Sequence, residues 1–233
     1  MINSPAAPDF LLLKQKFDAA NEKSQLALLA GIDVIDDSAL DFLKSLLPIN
    51  GAWPTTVQGK AFQLLYEIPA GKEFLATNFP EGIVPLKSIA GVDYQELQQL
   101  LIDRQWQAAD KLTNLKLCEL AGPVALQRQW LYFTDPKSIP VADLQVIDRL
   151  WVVHSEGQFG FSVQREIWVA SKKNWDKFWP KIGWKKELAW TRYPGSFTWD
   201  LLAPRGHLPL SNQLRGVRTM AALMVHPAWD NPS

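Results

Sequence analysis

Ten of the chain's eleven tryptophans lie between Trp106 and Trp229, and seven of those fall between Trp151 and Trp199. That asymmetry constrains the fold more than any other feature. Residues 1–90 hold a single Trp and must build their interior from Leu, Ile, Val and Phe. The later residues must bury or use many large flat rings, each with one N–H donor to satisfy. Two cores of different composition are expected, with the function in the second.

Charge divides the same way. Residues 1–90 carry seven Lys, no Arg and ten acids, whereas residues 91–233 carry nine Lys, all eight Arg and fourteen acids. The imbalance is about three charges in each direction. Nucleic-acid binding is excluded, because it needs a dense basic face; a small anionic ligand suits the excess better. One cysteine, Cys118, rules out an internal disulfide and a Cys-rich metal site, and suits a reducing compartment. The start Met1-Ile-Asn-Ser-Pro lacks a basic n-region, and charges interrupt every apolar run, so neither a signal peptide nor a membrane span is expected. A cytoplasmic protein is expected, with peripheral membrane contact left open.

Short helices separated by breakers are predicted before residue 80. Phe10, Leu13, Phe17 and Ala20 recur at helical spacing, as do Leu40, Leu43 and Leu47 behind an N-cap candidate at Ser38. Phe62 with Leu65, and Phe74 with Leu75, mark two more. Helices this short must pack on one another, as in a small bundle or a stack of helix pairs. The stretch Pro80–Gly91, with two Pro and two Gly, is the expected boundary between an N-terminal bundle, 1–85, and a second domain, 91–233. There, Asp93 is an N-cap candidate. Trp106, Ala109, Leu112 and Leu115 predict a helix, and so do Leu144, Ile147, Leu150 and Trp151. Residues 161–169 fit helix or strand equally. Asn174 caps a segment stopped by Pro180, residues 192–211 read as a long loop that is functional or mobile, and Ser211 or Asn212 caps a last helix ending near Met224. The fold class is all-α.

The segment 201–229 contains Arg205, Arg215 and Arg218 and no acid, amid Leu and Val. Arg215 and Arg218, three apart near a helix start, suit carboxylates; the alternative is a solvated basic face over ordinary core. The tryptophans are likewise either a binding floor or core. His154, His207 and His226 show no metal-ligand spacing, and a solvated loop histidine is the plain reading of His207. Catalytic signatures are absent: no nucleophile elbow, no complete phosphate loop, and Asp143 and Asp148 on different faces of one helix. Cys118 reads as buried and inert.

The run Asp143-Leu-Gln-Val-Ile-Asp-Arg-Leu-Trp-Val152, followed by Phe159-Gly-Phe-Ser-Val-Gln164 and later Gly206-His-Leu-Pro209, resembles the genomes-uncoupled family of porphyrin-binding magnesium-chelatase regulators. The resemblance covers about 91–229, and the helices before residue 80 are similar to an extension in intact cyanobacterial members. It implies a non-enzymatic activator of chlorophyll biosynthesis with a cupped helical core. Such a protein binds protoporphyrin IX and magnesium protoporphyrin IX, acts through the H subunit of magnesium chelatase, and is expected as a monomer with room for thylakoid association. Carried onto this chain, Arg215 and Arg218 would pair with the propionates and Asn212 would assist. Phe197, Trp190, Leu202, Leu208, Val124 and Phe133 would contact the macrocycle, under a mobile loop at 195–215. Apolar burial at roughly 25 cal/mol per Å² would supply most of the affinity. The rival from another class is a helical adaptor whose aromatic surface meets a protein partner; an enzyme acting on a tetrapyrrole has no acid, base or metal constellation to support it.

Overall fold

The computed structural model describes residues 8–32, 37–48, 51–187, 189–210 and 217–230, and the side chains of these from residue 12 onward. The chain is mostly helical and divides into two compact units, Met1–Ile83 and Val84–Ser233.

The first unit contains α1 (Pro8–Asp18), α2 (Glu22–Ala30), α3 (Asp37–Leu46), α4 (Thr56–Tyr66) and α5 (Pro69–Asn78). Its helix ends follow local chemistry. Asn21 caps α2 by accepting from the Ser24 amide at 3.0 Å, and Thr55 and Gln58 form a reciprocal capping box on α4. Helix α4 packs against α2, α3 and α5, burying Leu29, Leu43, Ala61, Phe62 and Leu65. Phe17 meets Phe42 edge-on at 5.1 Å. The turn from α4 to α5 is tight: a Cβ on Gly71 would stand 2.1 Å from the Leu65 carbonyl oxygen. Ser38 lies inside α3, which already begins at Asp37, so it is not the cap. Ala20 falls beyond α1, and the Phe10 side chain lies outside the described residues.

The second unit contains α6 (Gln95–Ile102), α7 (Trp106–Ala121), α8 (Pro123–Arg128), α9 (Val141–His154), α10 (Phe161–Ala170), α11 (Trp175–Lys181) and α12 (Val217–Met224). A short antiparallel pair, β1 (Lys185–Lys186) and β2 (Ala189–Trp190), was not foreseen from the sequence. Helix α9 is the axis, packed by α6, α7 and α10. On it Trp151 is fully buried against Trp106 and Phe159, with ring centroids 6.0 and 6.3 Å away, and donates its indole N–H to Thr113 Oγ1 at 2.9 Å. Residues 161–169 are helical, because Phe161, Val163, Gln164 and Trp168 bury one helical face.

Helices α6 and α7 differ from the sequence expectation at the cap and along the buried face. Asp93 accepts from the Gln95 amide at 2.8 Å, but Tyr94 occupies the N-cap of α6. On α7 the buried face runs through Trp106, Ala109, Asp110, Thr113, Leu117 and Leu120, while Leu115 is exposed and Leu112 half-buried. Hydrophobicity alone misplaced that face, since two of its polar residues are buried because they are bonded.

Asp143 and Asp148, on different faces of α9, are both structural. Asp143 accepts from the hydroxyls of Ser88 and Tyr94 and from the Ile89 amide. Asp148 accepts from the Ser162 amide at 2.8 Å, and burial raises its carboxyl above the ordinary range. Cys118 is buried, and burial pushes its thiol up to about 11, so it is a poor nucleophile.

Candidate functional site

Helix α8 ends because Gln129 turns into the left-handed region at φ 59°, which throws Trp130–Phe133 outward as a loop before a 3-10 turn at Asp135–Ser138. Asp135 shapes that loop: its carboxylate pairs with Arg128 and accepts from the Tyr132 amide at 2.6 Å. The Arg128 guanidinium in turn lies 4.5 Å from the Trp130 ring centroid. From α12, Thr219 Oγ1 donates to the Leu131 carbonyl at 3.5 Å. Between loop and helix lies an open cavity of about 470 Å³ lined by Trp130, Tyr132, Phe133, Arg218 and Thr219. Its size suits a small-molecule site, for which roughly 300–1,000 Å³ is usual. Tyr132 and Phe133 rings lie 4.5 Å apart, and the exposed Arg218 guanidinium stands 5.4 Å over Phe133. An aromatic wall meets a cation at one edge.

Thr191–Leu210 forms no helix or strand, yet it is well fastened. The Gly160 amide donates to the Leu208 carbonyl at 3.0 Å, and the Gly206 amide to the Gln158 carbonyl at 2.8 Å. Gln164 Nε2 reaches both the Gly206 and Pro209 carbonyls, and Gln158 Nε2 reaches that of Ala203. The Phe159–Gln164 and Gly206–Pro209 motifs are therefore two halves of one clasp. Gly160 sits at φ 138°, where a Cβ would meet Val152 Cγ2 at 2.7 Å. His207, read as a solvated loop residue, is buried. Its Nδ1–H donates to the Ile182 carbonyl at 2.7 Å, so Nε2 is the lone pair that accepts from the Thr198 amide at 3.3 Å. Burial lowers its pKa from the ordinary value, which keeps the ring neutral.

Further along α7, buried Asp110 accepts from the Leu210 amide at 2.6 Å and has the Tyr193 hydroxyl beside it. Burial pushes its carboxyl up to about 7, against the opposing pull of these two donors and of Lys111. Burial, with Asp110 beside it, also raises the Tyr193 phenol above its ordinary value.

The residues singled out from the sequence fall into distinct places. Phe133 and Arg218 share the cavity. Trp190 and Phe197 belong to an aromatic cluster at the base of the loop, and Leu208 sits in the clasp with Gly160. In that cluster Trp179 stacks on Trp184 at 5.6 Å, Trp190 meets Trp179 at 5.5 Å, and Phe197 lies 4.7 Å from His207. Trp190 is 48% exposed, but Phe197 is buried and Leu208 fully so. A ligand reaches those two only if the loop shifts. Leu202, 91% exposed, projects from the loop, and Val124, 69% exposed, from α8; neither lines the cavity. Asn212 and Arg215 lie outside the described residues. Arg205 pairs with Glu166 of α10 at 2.6 Å, so the acid-free stretch of sequence is not acid-free in space. Most tryptophans are core, since Trp106, Trp151, Trp168, Trp179, Trp184 and Trp229 are all buried. Trp130, Tyr132 and Thr219 were not singled out; the aromatic run at 130–133, flanking Phe133, was the available signal. Among the described residues no helix is long and apolar enough to cross a membrane, and no His, Cys, Asp or Glu group is placed to hold a metal ion.

Comparison with known proteins bears on this site. A GUN4-like family model matches residues 87–227, and a model for an ARM-like repeat domain, the GUN4 N-terminal domain, matches residues 1–80. A Ycf53-like protein of Synechocystis is 47% identical over 225 residues, covering 93% of this chain and 95% of its own. The chloroplastic tetrapyrrole-binding protein of Arabidopsis thaliana is 37% identical over 145 residues, 58% of this chain and 55% of its own. The solved structure of GUN4 from Chlamydomonas reinhardtii superposes with a TM-score of 0.60 at 42% identity, covering 64% of this chain and 95% of that one.

Proposed function

The chain belongs to the GUN4-like family, and we propose that it is a non-enzymatic tetrapyrrole-binding regulator that takes protoporphyrin IX and magnesium protoporphyrin IX and activates magnesium chelatase through its H subunit. The observation that carries this reading is the cavity of Trp130, Tyr132 and Phe133 with Arg218 at its edge. A tetrapyrrole is a flat apolar disc with two carboxylates on one side, and it needs such a wall and such a rim. The rings supply apolar and stacking surface and Arg218 supplies a fork for one propionate; Arg215 and Asn212, outside the described residues, are assigned to the propionates from the sequence alone. Val124, Trp190, Phe197, Leu202 and Leu208 are the further candidates for contact with the macrocycle, and a shift of the loop that carries Phe197, Leu202 and Leu208 would bring them to it. The relative from A. thaliana that is named for tetrapyrrole binding supports the same ligand class. Residues 91–233 are then the tetrapyrrole-binding core, residues 1–85 support it or contact a partner, and the protein acts in the cytoplasm or at a thylakoid surface.

Titrating the full chain with magnesium protoporphyrin IX should quench tryptophan emission saturably. Arg215→Glu with Arg218→Glu should weaken binding at least tenfold, about 1.4 kcal/mol, because two charge-assisted contacts are reversed in sign. Unchanged affinity in the double variant refutes the propionate assignment. The exposed Leu202 and Val124 favour the adaptor reading; saturable binding to a chelatase subunit by a chain that binds no porphyrin would establish it instead.

A further inference from the structure

Arg218 and Arg128 both stand beside the aromatic wall, in different settings. Arg218, from α12, is exposed, and its guanidinium stands over Phe133 at the cavity edge. Arg128, from the last turn of α8, does not line the cavity. Its guanidinium backs the wall instead. Nε donates to the Trp130 carbonyl at 3.2 Å, Nη2 pairs with Asp135 Oδ2, and the guanidinium carbon lies 4.5 Å from the Trp130 ring centroid. The same Asp135 oxygen accepts from the Tyr132 amide at 2.6 Å. One cation and one carboxylate thus tie the Trp130 carbonyl, the Trp130 ring and the Tyr132 amide to the end of α8.

Other bonds hold other parts of this loop. Asn114 donates to the Gln129 carbonyl at 3.1 Å, Thr219 to that of Leu131 at 3.5 Å, and the Asp135 amide to that of Tyr132 at 3.0 Å. These are bonds to backbone, and they fix the path of the chain. They leave the side-chain torsions of Trp130 free, whereas a planar guanidinium against the ring constrains its tilt. The charge of Arg128 is also spoken for. Its side chain is 28% exposed and that of Asp135 20%, so the pair is mostly shielded, and a ligand carboxylate would have to displace Asp135 to reach it. Among the described residues no acid pairs with Arg218.

We propose that Arg128 is a positioning residue that sets the aromatic wall through Trp130 and Asp135 and takes no ligand carboxylate, so that the ligand's charge is read by Arg218. The part that concerns the ligand rests on the tetrapyrrole reading; the hold on the loop does not. Loss of Arg128 spoils the shape of the wall, which an acid and its ester need equally. Loss of Arg218 removes a charge, which only the acid needs.

The test compares the full-length wild type with Arg128→Met, Arg128→Lys and Arg218→Gln. Amide hydrogen exchange is followed over 130–135, and Soret absorbance is titrated with magnesium protoporphyrin IX and with its dimethyl ester. Arg128→Met should accelerate exchange at the Tyr132 amide about tenfold. It should weaken diacid and diester alike, by about threefold to tenfold, the worth of one ring contact. Arg128→Lys keeps the charge but not the planar fork, so it should err in the same direction by less; it also keeps the test decisive if Arg128→Met does not fold. Arg218→Gln should weaken the diacid about tenfold and leave the diester within about twofold. In saturated diester complexes the Soret band should shift in both Arg128 variants and stay in place in Arg218→Gln, a change that loss of folded protein alone does not produce. Wild-type exchange over 130–135 in Arg128→Met, or in Arg128→Lys if the first does not fold, overturns the hold on the loop. Loss of the diacid alone in Arg128→Met makes Arg128 a carboxylate ligand and overturns the division of roles; so does an unmoved Soret band in both Arg128 variants. A wild type that binds neither porphyrin refutes the tetrapyrrole reading, and the exchange measurement then decides the hold on the loop by itself.

Discussion

Replacing Asp110 by Asn should change the pH dependence of stability in a direction that the burial of this carboxyl dictates. In an unfolded chain an aspartate releases its proton near pH 3.8, whereas buried Asp110 holds its proton until about 7. Between these values the folded protein binds the extra proton, so the stability owed to this group falls as pH rises from about 4 to about 7 and is level above that. At about 1.4 kcal/mol for each pH step, the full difference is about 4 kcal/mol, of which about 3 kcal/mol lies between about pH 4.5 and about pH 8. Asn cannot ionise and keeps an oxygen for the Leu210 amide. The unfolding free energy of Asp110→Asn minus that of the wild type should therefore rise by about 3 kcal/mol across that range, in favour of Asn. Other buried groups titrate in both proteins and cancel in the difference. Urea unfolding followed by tryptophan emission is the assay, because ten of the eleven tryptophans belong to the unit that holds Asp110. A difference that stays flat within about 1 kcal/mol, or that turns toward the wild type as pH rises, refutes the argument that this carboxyl is desolvated.

Two further outcomes follow from buried groups on or beside α9. Burial pushes the His154 imidazole down to about 3 from 6.5, so the folded protein refuses a proton that the unfolded chain takes. Stability should be lost as pH falls through 6.5 toward 3, by up to about 5 kcal/mol from this residue, and His154→Gln should flatten that acid limb in thermal melts. Gly160→Ala should destabilise by about 1–3 kcal/mol, because Ala pays for the left-handed backbone and its Cβ meets Val152 Cγ2 at 2.7 Å. Melts of the variant that match wild type would mean that the clasp around Leu208 tolerates a shift of this turn.

Helices were legible wherever apolar spacing coincided with burial. Leu144, Ile147, Leu150 and Trp151 mark the inner face of α9 because that helix is packed on several sides. The α7 stripe was misread because its inner face includes Asp110 and Thr113, whose burial depends on donors and acceptors arriving from distant segments. Helix starts at α3 and α6 were displaced by a residue or two, since a capping side chain can bond from several neighbouring positions. At the site, Phe133 and Arg218 were legible as an aromatic residue and a cation. That they face one another was not, because the turn at Gln129 and the Asp135 pair that set the loop are matters of backbone direction.

What the sequence by itself determined is the helical class, the separation of an aliphatic first half from a tryptophan-rich second half, and the residue types that a flat anionic ligand would need. Local periodicity and composition carry these, because they act over one or two helical turns. Only the tertiary structure decided what the tryptophans do. It buries most of them, pairs Arg205 with Glu166 and hides His207. It joins Phe159–Gln164 to Gly206–Pro209, and it brings Asp110 to the Leu210 amide a hundred residues away. Those outcomes depend on which donors and rings meet across the fold, and contacts between segments so far apart leave no period in the chain.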